Sequence, residues 1–87
     1  MIEGFRHKGL RLLFEEDDTR KVSADMVDRL RLILSALDAA AVVGDMNQPT
    51  FMLHPLKGDL RGFFAVTVRA NWRVIFRFSR AKPVPSI

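Results

Sequence analysis

The apolar residues of this chain repeat on one period in its first half and on another in its second, and that switch most constrains the fold. Met26, Val27, Leu30, Ile33, Leu34, Leu37 and Ala40 follow the i, i+3, i+4, i+7 spacing of one helix face. Phe64, Val66 and Val68, and later Val74, Phe76 and Phe78, alternate with less apolar neighbours as half-buried strands do. Each of these elements has one side that must leave water, and burying helix stripe against strand face satisfies both.

The remaining elements follow from local signals. Ile2 to Phe5 fits a short edge strand. His7 to Glu16 places Leu10, Leu13 and Phe14 at helical spacing, and the acid cluster Glu15 to Asp18 lies where the macrodipole disfavours negative charge, marking the exit. Ser23 is placed to cap the second helix, with Asp25 in its first turn; the stripe runs to about Ala41, and Gly44 is placed to end it. Gly44 to Thr50 reads as a polar loop, and Phe51 to His54 as an extended piece. If Val68 and Val74 both face the core, Ala70, Asn71 and Trp72 form a three-residue turn with Asn71 left-handed, and Arg69 and Arg73 emerge side by side on the other face. The expected architecture is α+β: two N-terminal helices on one face of a mainly antiparallel sheet, in the order β-α-α-β-β-β. Pro83 and Pro85 cannot donate ladder hydrogen bonds, so residues 79–87 are expected to be an irregular tail of one domain spanning 1–87.

Composition narrows what such a domain can do. The chain has 87 residues, no cysteine and two histidines. Disulfides and thiolate chemistry are excluded. His7 and His54 lack HxH or HxxxH spacing, so a metal site is not expected. No apolar run approaches the roughly 18 residues of a membrane span, and the N-terminus lacks the apolar stretch of a signal peptide, which makes the cytoplasm the expected location. Charge is divided unevenly. From His54 onward Lys57, Arg61, Arg69, Arg73, Arg77, Arg80 and Lys82 stand against Asp59 alone, whereas residues 1–53 carry a slight acidic excess. A polyanion held by one side of the molecule is the partner this asymmetry suits.

An RNA backbone can be cut without a metal if four tasks are covered: activating the 2′-hydroxyl, stabilising phosphorane-like charge, protonating the leaving oxygen and holding the strand in line. Histidine titrates near neutrality, and His54, close to Lys57 and to the arginine-bearing strands, is the candidate proton carrier. Its plainer reading is a strand-end imidazole bonding the backbone. Lys57 lies in a glycine-flanked loop from which an ammonium can approach phosphate. Arg69 and Arg73 can clamp phosphate oxygens in bidentate fashion, and Arg61 and Arg77, with Arg80 and Lys82, suit longer-range backbone contacts. Phe63 and Trp72 are candidates for base stacking, with anchoring the turn in the core the favoured role for Trp72. His7, at a helix start, is read as structural.

Three stretches, IEGFRHKGLRLLFE from Ile2, HPLKGD from His54 and TVRANWRVIF from Thr67, together resemble the HigB toxins of bacterial toxin–antitoxin modules, a branch of the RelE superfamily. The resemblance implies a compact RelE-like fold, ribosome-dependent cleavage of mRNA with translation inhibited, and neutralisation by a HigA-type helix-turn-helix antitoxin, with operator DNA reached only through that antitoxin. It also implies a catalytic role for His54, phosphate-binding or transition-state roles for Lys57, Arg69 and Arg73, and no metal or organic cofactor. Family members commonly continue to an acidic–Tyr–His ending, whereas this sequence reads SRAKPVPSI over 79–87. Without a second proton carrier, proton-transfer catalysis is expected to be lower by about 10²–10⁴. Two alternatives follow: an inactive relative that binds antitoxin and acts through transcriptional autoregulation, and a generic RNA-binding domain.

Overall fold

The computed structural model describes residues 2, 5–70, 72–79 and 82–86. Helix α1 spans Lys8–Glu16 and α2 spans Val27–Ala39, the latter preceded by a 3₁₀ turn at Ala24–Met26. Four strands follow, β1 (His54–Pro55), β2 (Phe64–Arg69), β3 (Trp72–Ser79) and β4 (Lys82–Ser86). They form one antiparallel sheet in the order β1-β2-β3-β4, and the α+β expectation holds. Among the described residues no helix is long and apolar enough to cross a membrane.

The core is the meeting of the two apolar periods. Leu10 and Leu13 of α1 and Leu30, Ile33, Leu34 and Leu37 of α2 are buried against Val66, Val68, Val74 and Phe76, the even-numbered side of the hairpin. Phe76 stacks on Phe64 and meets Phe78 edge-on, with centroids 6.1 and 6.0 Å apart, a geometry that adds to area burial. Met46 and Phe51 are also fully buried, though they come from the segment expected to be a polar loop and its exit. That segment contains a 3₁₀ turn, Val43–Met46, whose Asp45 carboxylate accepts from the Ala41 and Val42 amides. Asp45 therefore organises this corner, and Gly44 lies inside the turn instead of ending α2, which stops at Ala39.

Of the helix ends, the entry of α1 is capped by a side chain, whereas the entry of α2 has no side-chain cap and both exits are closed by backbone amides. His7 caps α1 by accepting the Leu10 amide on Nδ1, confirming a structural role, while Asp17 adopts a left-handed conformation just after Glu16. Ser23 has the extended backbone of a cap residue but makes no side-chain cap bond.

Three expectations are corrected. Ile2 and Phe5, the described ends of the expected first strand, lie in no strand; residues 3 and 4 are outside the described residues. Ile2 instead donates its amide to Asp38 of α2 at 2.9 Å, and Phe5 packs on Phe14, so these two residues are held by the helices. Residues 82–86 form a strand instead of an irregular tail. Pro83 and Pro85 fall opposite Phe78 and Phe76, on the same parity, and β4 is the outer strand, so both positions lacking an N–H can face the open edge.

The third correction concerns the hairpin. Val66 pairs with Val74 and Thr67 with Arg73, but Arg69 pairs with Trp72, with a register shift between Thr67 and Arg69. β2 thus ends one residue before Ala70 and β3 begins at Trp72, leaving only Ala70 and Asn71 between them. Ala70 takes the left-handed conformation with φ 42°; Asn71, for which it was expected, is outside the described residues. An extra residue in one strand reverses the side on which later residues emerge. Val68 keeps its place in the core because the bulge falls there, and Arg69 and Trp72 come to the helix side of the sheet, away from Arg73.

Candidate nucleic-acid interface and cleavage site

The side of the sheet turned away from the helices is built, in β2 up to Thr67 and in β3, from the odd-numbered residues. His54 pairs with Ala65, and Ala65 with Ile75, so these three form one row across it. Thr67 and Arg73 form the next row in one direction. In the other, Phe63 continues the register to come opposite Arg77, and the Leu56 amide donates to the Phe63 carbonyl at 2.9 Å. Rows on one face are two residues apart, about 6.7 Å, and strands about 4.8 Å. The imidazole row is therefore flanked by guanidinium-bearing rows on both sides. His54 and Arg73 are about 12 Å apart at their backbones by the same spacings, a gap that a long arginine side chain can narrow by leaning across Ala65. Ala65, the smallest residue of the face, is only 1% exposed between its larger neighbours and gives the face a low floor.

His54 is fixed by its neighbour but one. Its Nδ1 lies 3.0 Å from the Met52 carbonyl oxygen. A carbonyl only accepts, so Nδ1 carries the proton and Nε2 of the neutral ring keeps its lone pair. Met52 is held left-handed at φ 53°, a conformation costly for a residue with a side chain, and the cost falls beside the candidate proton carrier. Pairing resumes at Phe51, whose carbonyl accepts from the Thr67 amide at 2.7 Å. The backbone-bonded reading of His54 and the proton-carrier reading are thus compatible, since the bond to Met52 sets the tautomer that base catalysis needs.

Lys57 and Arg61 belong to the loop joining β1 to β2, at the Arg77 end of the face, and both are exposed. The loop is tightened by the Leu60 amide on the Lys57 carbonyl and the Phe63 amide on the Leu60 carbonyl, at 3.3 and 2.9 Å. Gly58 and Gly62 have φ of 67° and 96°, conformations that a residue with a Cβ adopts only with strain.

Arg69 does not join this set. Its guanidinium pairs with Asp25, from the 3₁₀ turn that opens onto α2, on the helix side. The expectation of Arg69 and Arg73 as twin guanidiniums side by side is therefore corrected: of the two only Arg73 is on the open face, one row from His54, with Arg77 one row away in the other direction. Trp72 is 53% exposed and so does not anchor the turn in the core. Phe63 is not a bare ring for base stacking either: the guanidiniums of Arg6 and Arg77 lie 5.6 and 5.5 Å from its centroid.

Two contributors escaped the sequence reading. Arg6 meets Phe63 only through tertiary structure. Arg29, on the polar side of α2, bonds Thr50 Oγ1 at 3.0 Å, the Thr50 carbonyl, and the Thr67 carbonyl at 3.2 Å, and lies 5.2 Å from the Phe51 ring. It ties α2 to the segment that leads into β1. No local pattern distinguishes such a cation from an ordinary solvated one, since its partners are carbonyls far away in sequence.

The structure is thus a small α+β domain whose antiparallel sheet carries His54, Arg73 and Arg77 on the side away from the helices. The family model described as the RelE-like toxin of type II toxin–antitoxin system HigB matches residues 3–85. The chain is also 51% identical over 78 residues to a Proteus vulgaris protein named Endoribonuclease HigB, an alignment covering 90% of this chain and 85% of that one. The chain belongs to the HigB-like toxin family.

Proposed function

We propose that this chain is a ribosome-dependent mRNA endoribonuclease that inhibits translation, acts in the cytoplasm and is held in check by a HigA-type helix-turn-helix antitoxin. The observation that carries the reading is the fixed His54 ring on a face with unneutralised cations, in a chain half identical to a protein named Endoribonuclease HigB. His54 Nε2 takes the proton of a ribose 2′-hydroxyl as that oxygen attacks the adjacent phosphorus. The bond to the 5′-oxygen breaks, giving a 2′,3′-cyclic phosphate and a 5′-hydroxyl end, with the leaving oxygen protonated by water or by the imidazolium. Arg73 and Lys57 stabilise the charge gathering on the non-bridging oxygens, and Arg61 and Arg77 hold flanking phosphates. Arg69 is left out of this set because Asp25 already occupies it.

A single imidazole on the face among the described residues makes for a reduced rate, and the same observation favours a second reading, a chain that binds antitoxin without cutting RNA. Mapping mRNA 5′ ends in cells expressing the chain separates the two. New ends within translated codons, absent with His54→Gln, support the nuclease. No new ends, together with copurification of a HigA-type antitoxin, support the second reading and overturn the first.

A further inference from the structure

Phe63 draws two arginines from opposite ends of the chain onto one ring. Arg77 stands across the ladder on β3, whereas Arg6 reaches the ring from the segment before α1, where the preceding Phe5 turns the other way to pack on Phe14. Neither guanidinium has a carboxylate within ion-pairing distance among the described residues.

The manner of holding matters. A guanidinium paired with a carboxylate directs its N–H edge at that carboxylate. One held on an aromatic ring is attracted by the quadrupole and keeps its N–H donors for another acceptor. Two like charges gathered at one ring also repel each other, and an anion between or beside them relieves that repulsion. Arg6 and Arg77 are exposed, so their donors are accessible. The Phe63–Arg77 row is the next on the open face after His54–Ala65–Ile75, about 6.7 Å along the strands, comparable to the spacing of neighbouring phosphates in an extended strand.

We infer that Arg6 and Arg77, held on Phe63, form a phosphate subsite for the RNA backbone next to the cleavage position. The inference deepens the nuclease reading and adds Arg6 and the ring to the residues that meet RNA. The phosphate can belong to the mRNA or to ribosomal RNA, which present the same group.

The test uses the full chain with Arg6→Gln, Arg77→Gln, the double variant, Arg6→Lys, and Arg11→Gln as a control paired with Glu15 on α1. Binding to a fluorescent 2′-O-methyl oligoribonucleotide, which cannot be cut, is followed across a salt series, and binding to vacant ribosomes by cosedimentation. Arg6→Gln is expected to make the salt dependence of log K shallower by about 0.7, the double variant by about twice that, and Arg11→Gln to leave it unchanged. Arg6→Lys should keep the slope, because the charge remains, while weakening affinity, because the planar contact is lost. A loss in the oligonucleotide arm assigns the subsite to mRNA, and a loss only in the ribosome arm assigns it to ribosomal RNA. Arg6→Gln matching wild type in both arms, or wild type binding neither probe, overturns the subsite. If the slope changes as expected but the wild-type chain produces no new mRNA ends, the subsite stands and the nuclease reading falls.

Discussion

The helix layer and the open sheet face use arginine in opposite ways. Arg11, Arg20 and Arg31 lie in or beside the helices, and each faces a carboxylate; Arg69 crosses over from β2 to meet Asp25. Arg6, Arg61, Arg73 and Arg77 have no acidic partner among the described residues, and those of the strands and their loop stand on or beside the open face. The acids fall almost wholly in the first half of the sequence, which supplies the helices, and the strands come from the second half. Segregation along the chain thus becomes segregation between two sides of a small domain. Surface ion pairs are worth about 0–1 kcal/mol each, so the paired arginines contribute little stability, while the unpaired ones sustain a field that attracts a polyanion.

The comparison is most easily broken at His54. If the open face is the chemical one, His54→Gln lowers RNA cleavage by about 10²–10⁴ while the thermal midpoint barely moves, because the ring is only half-buried. Equal cleavage by the variant, measured by primer extension on a translated message, would remove the imidazole from the mechanism. The opposite pattern is expected from the helix-facing side of the same strands. Phe76→Ala, at a fully buried ring touching Phe64 and Phe78, should cost about 3–5 kcal/mol in urea unfolding and lose function only by unfolding.

Arg29 lies between the two regions, a helix cation serving the sheet. Replacing it with Met keeps much of the stem, leaves the exposed Thr50 carbonyl to water and removes a donor from the half-buried Thr67 carbonyl, and a loss of about 1 kcal/mol is expected. Amide exchange should quicken first at Thr67, whose bond to Phe51 lies beneath the Arg29 contact. Uniform quickening over the whole chain would show that Arg29 acts only through global stability.

A smaller effect separates Arg73 from Arg69, two residues that alternation alone cannot tell apart. Arg73→Gln should make the salt dependence of RNA binding shallower by about 0.7 and leave stability unchanged. Arg69→Gln should leave that slope as it is and lower stability by less than about 1 kcal/mol, the scale of an exposed ion pair. Exchanged outcomes would restore the twin-guanidinium face that the bulge takes apart.

This pair also marks where sequence reasoning stops. The helix stripe from Met26 to Ala40 and the alternation around Val66 and Val74 were legible because many residues repeat one period, and burial acts on all of them together. The faces of Arg73 and Arg77 followed from the same parity, whereas that of His54 depends on the pairing of β1 with β2. Arg69 did not, because a bulge changes parity by a single residue and is recorded in no pattern longer than itself. β4 was missed for a related reason: two prolines argue against a central strand, but whether a strand lies at an edge is decided by the whole sheet. The contacts of Arg6 and Arg29 depend on chain segments far apart and had no local signal.

The smallest expected effect lies at the far end of the helix layer, where Asp18 follows the exit of α1. The Arg20 side chain bonds both Asp18 carboxylate oxygens, at 3.0 and 2.8 Å, and the Arg20 amide bonds one of them, which together hold the carboxyl well below the usual carboxylate range. A carboxyl depressed in the folded state favours folding while ionised. Its contribution is present above the unfolded value near 4 and disappears as pH falls through the lower folded value. Wild type should therefore exceed Arg20→Gln slightly in urea midpoint at neutral pH, and the two curves should converge as pH falls from about 4 toward about 2. Arg20 is exposed, so added salt should shrink the difference at neutral pH as well. Curves that stay parallel to the lowest pH would mean that Arg20 acts through something other than this carboxylate, and that the pairing of acids with arginines on the helix side is incidental at this site.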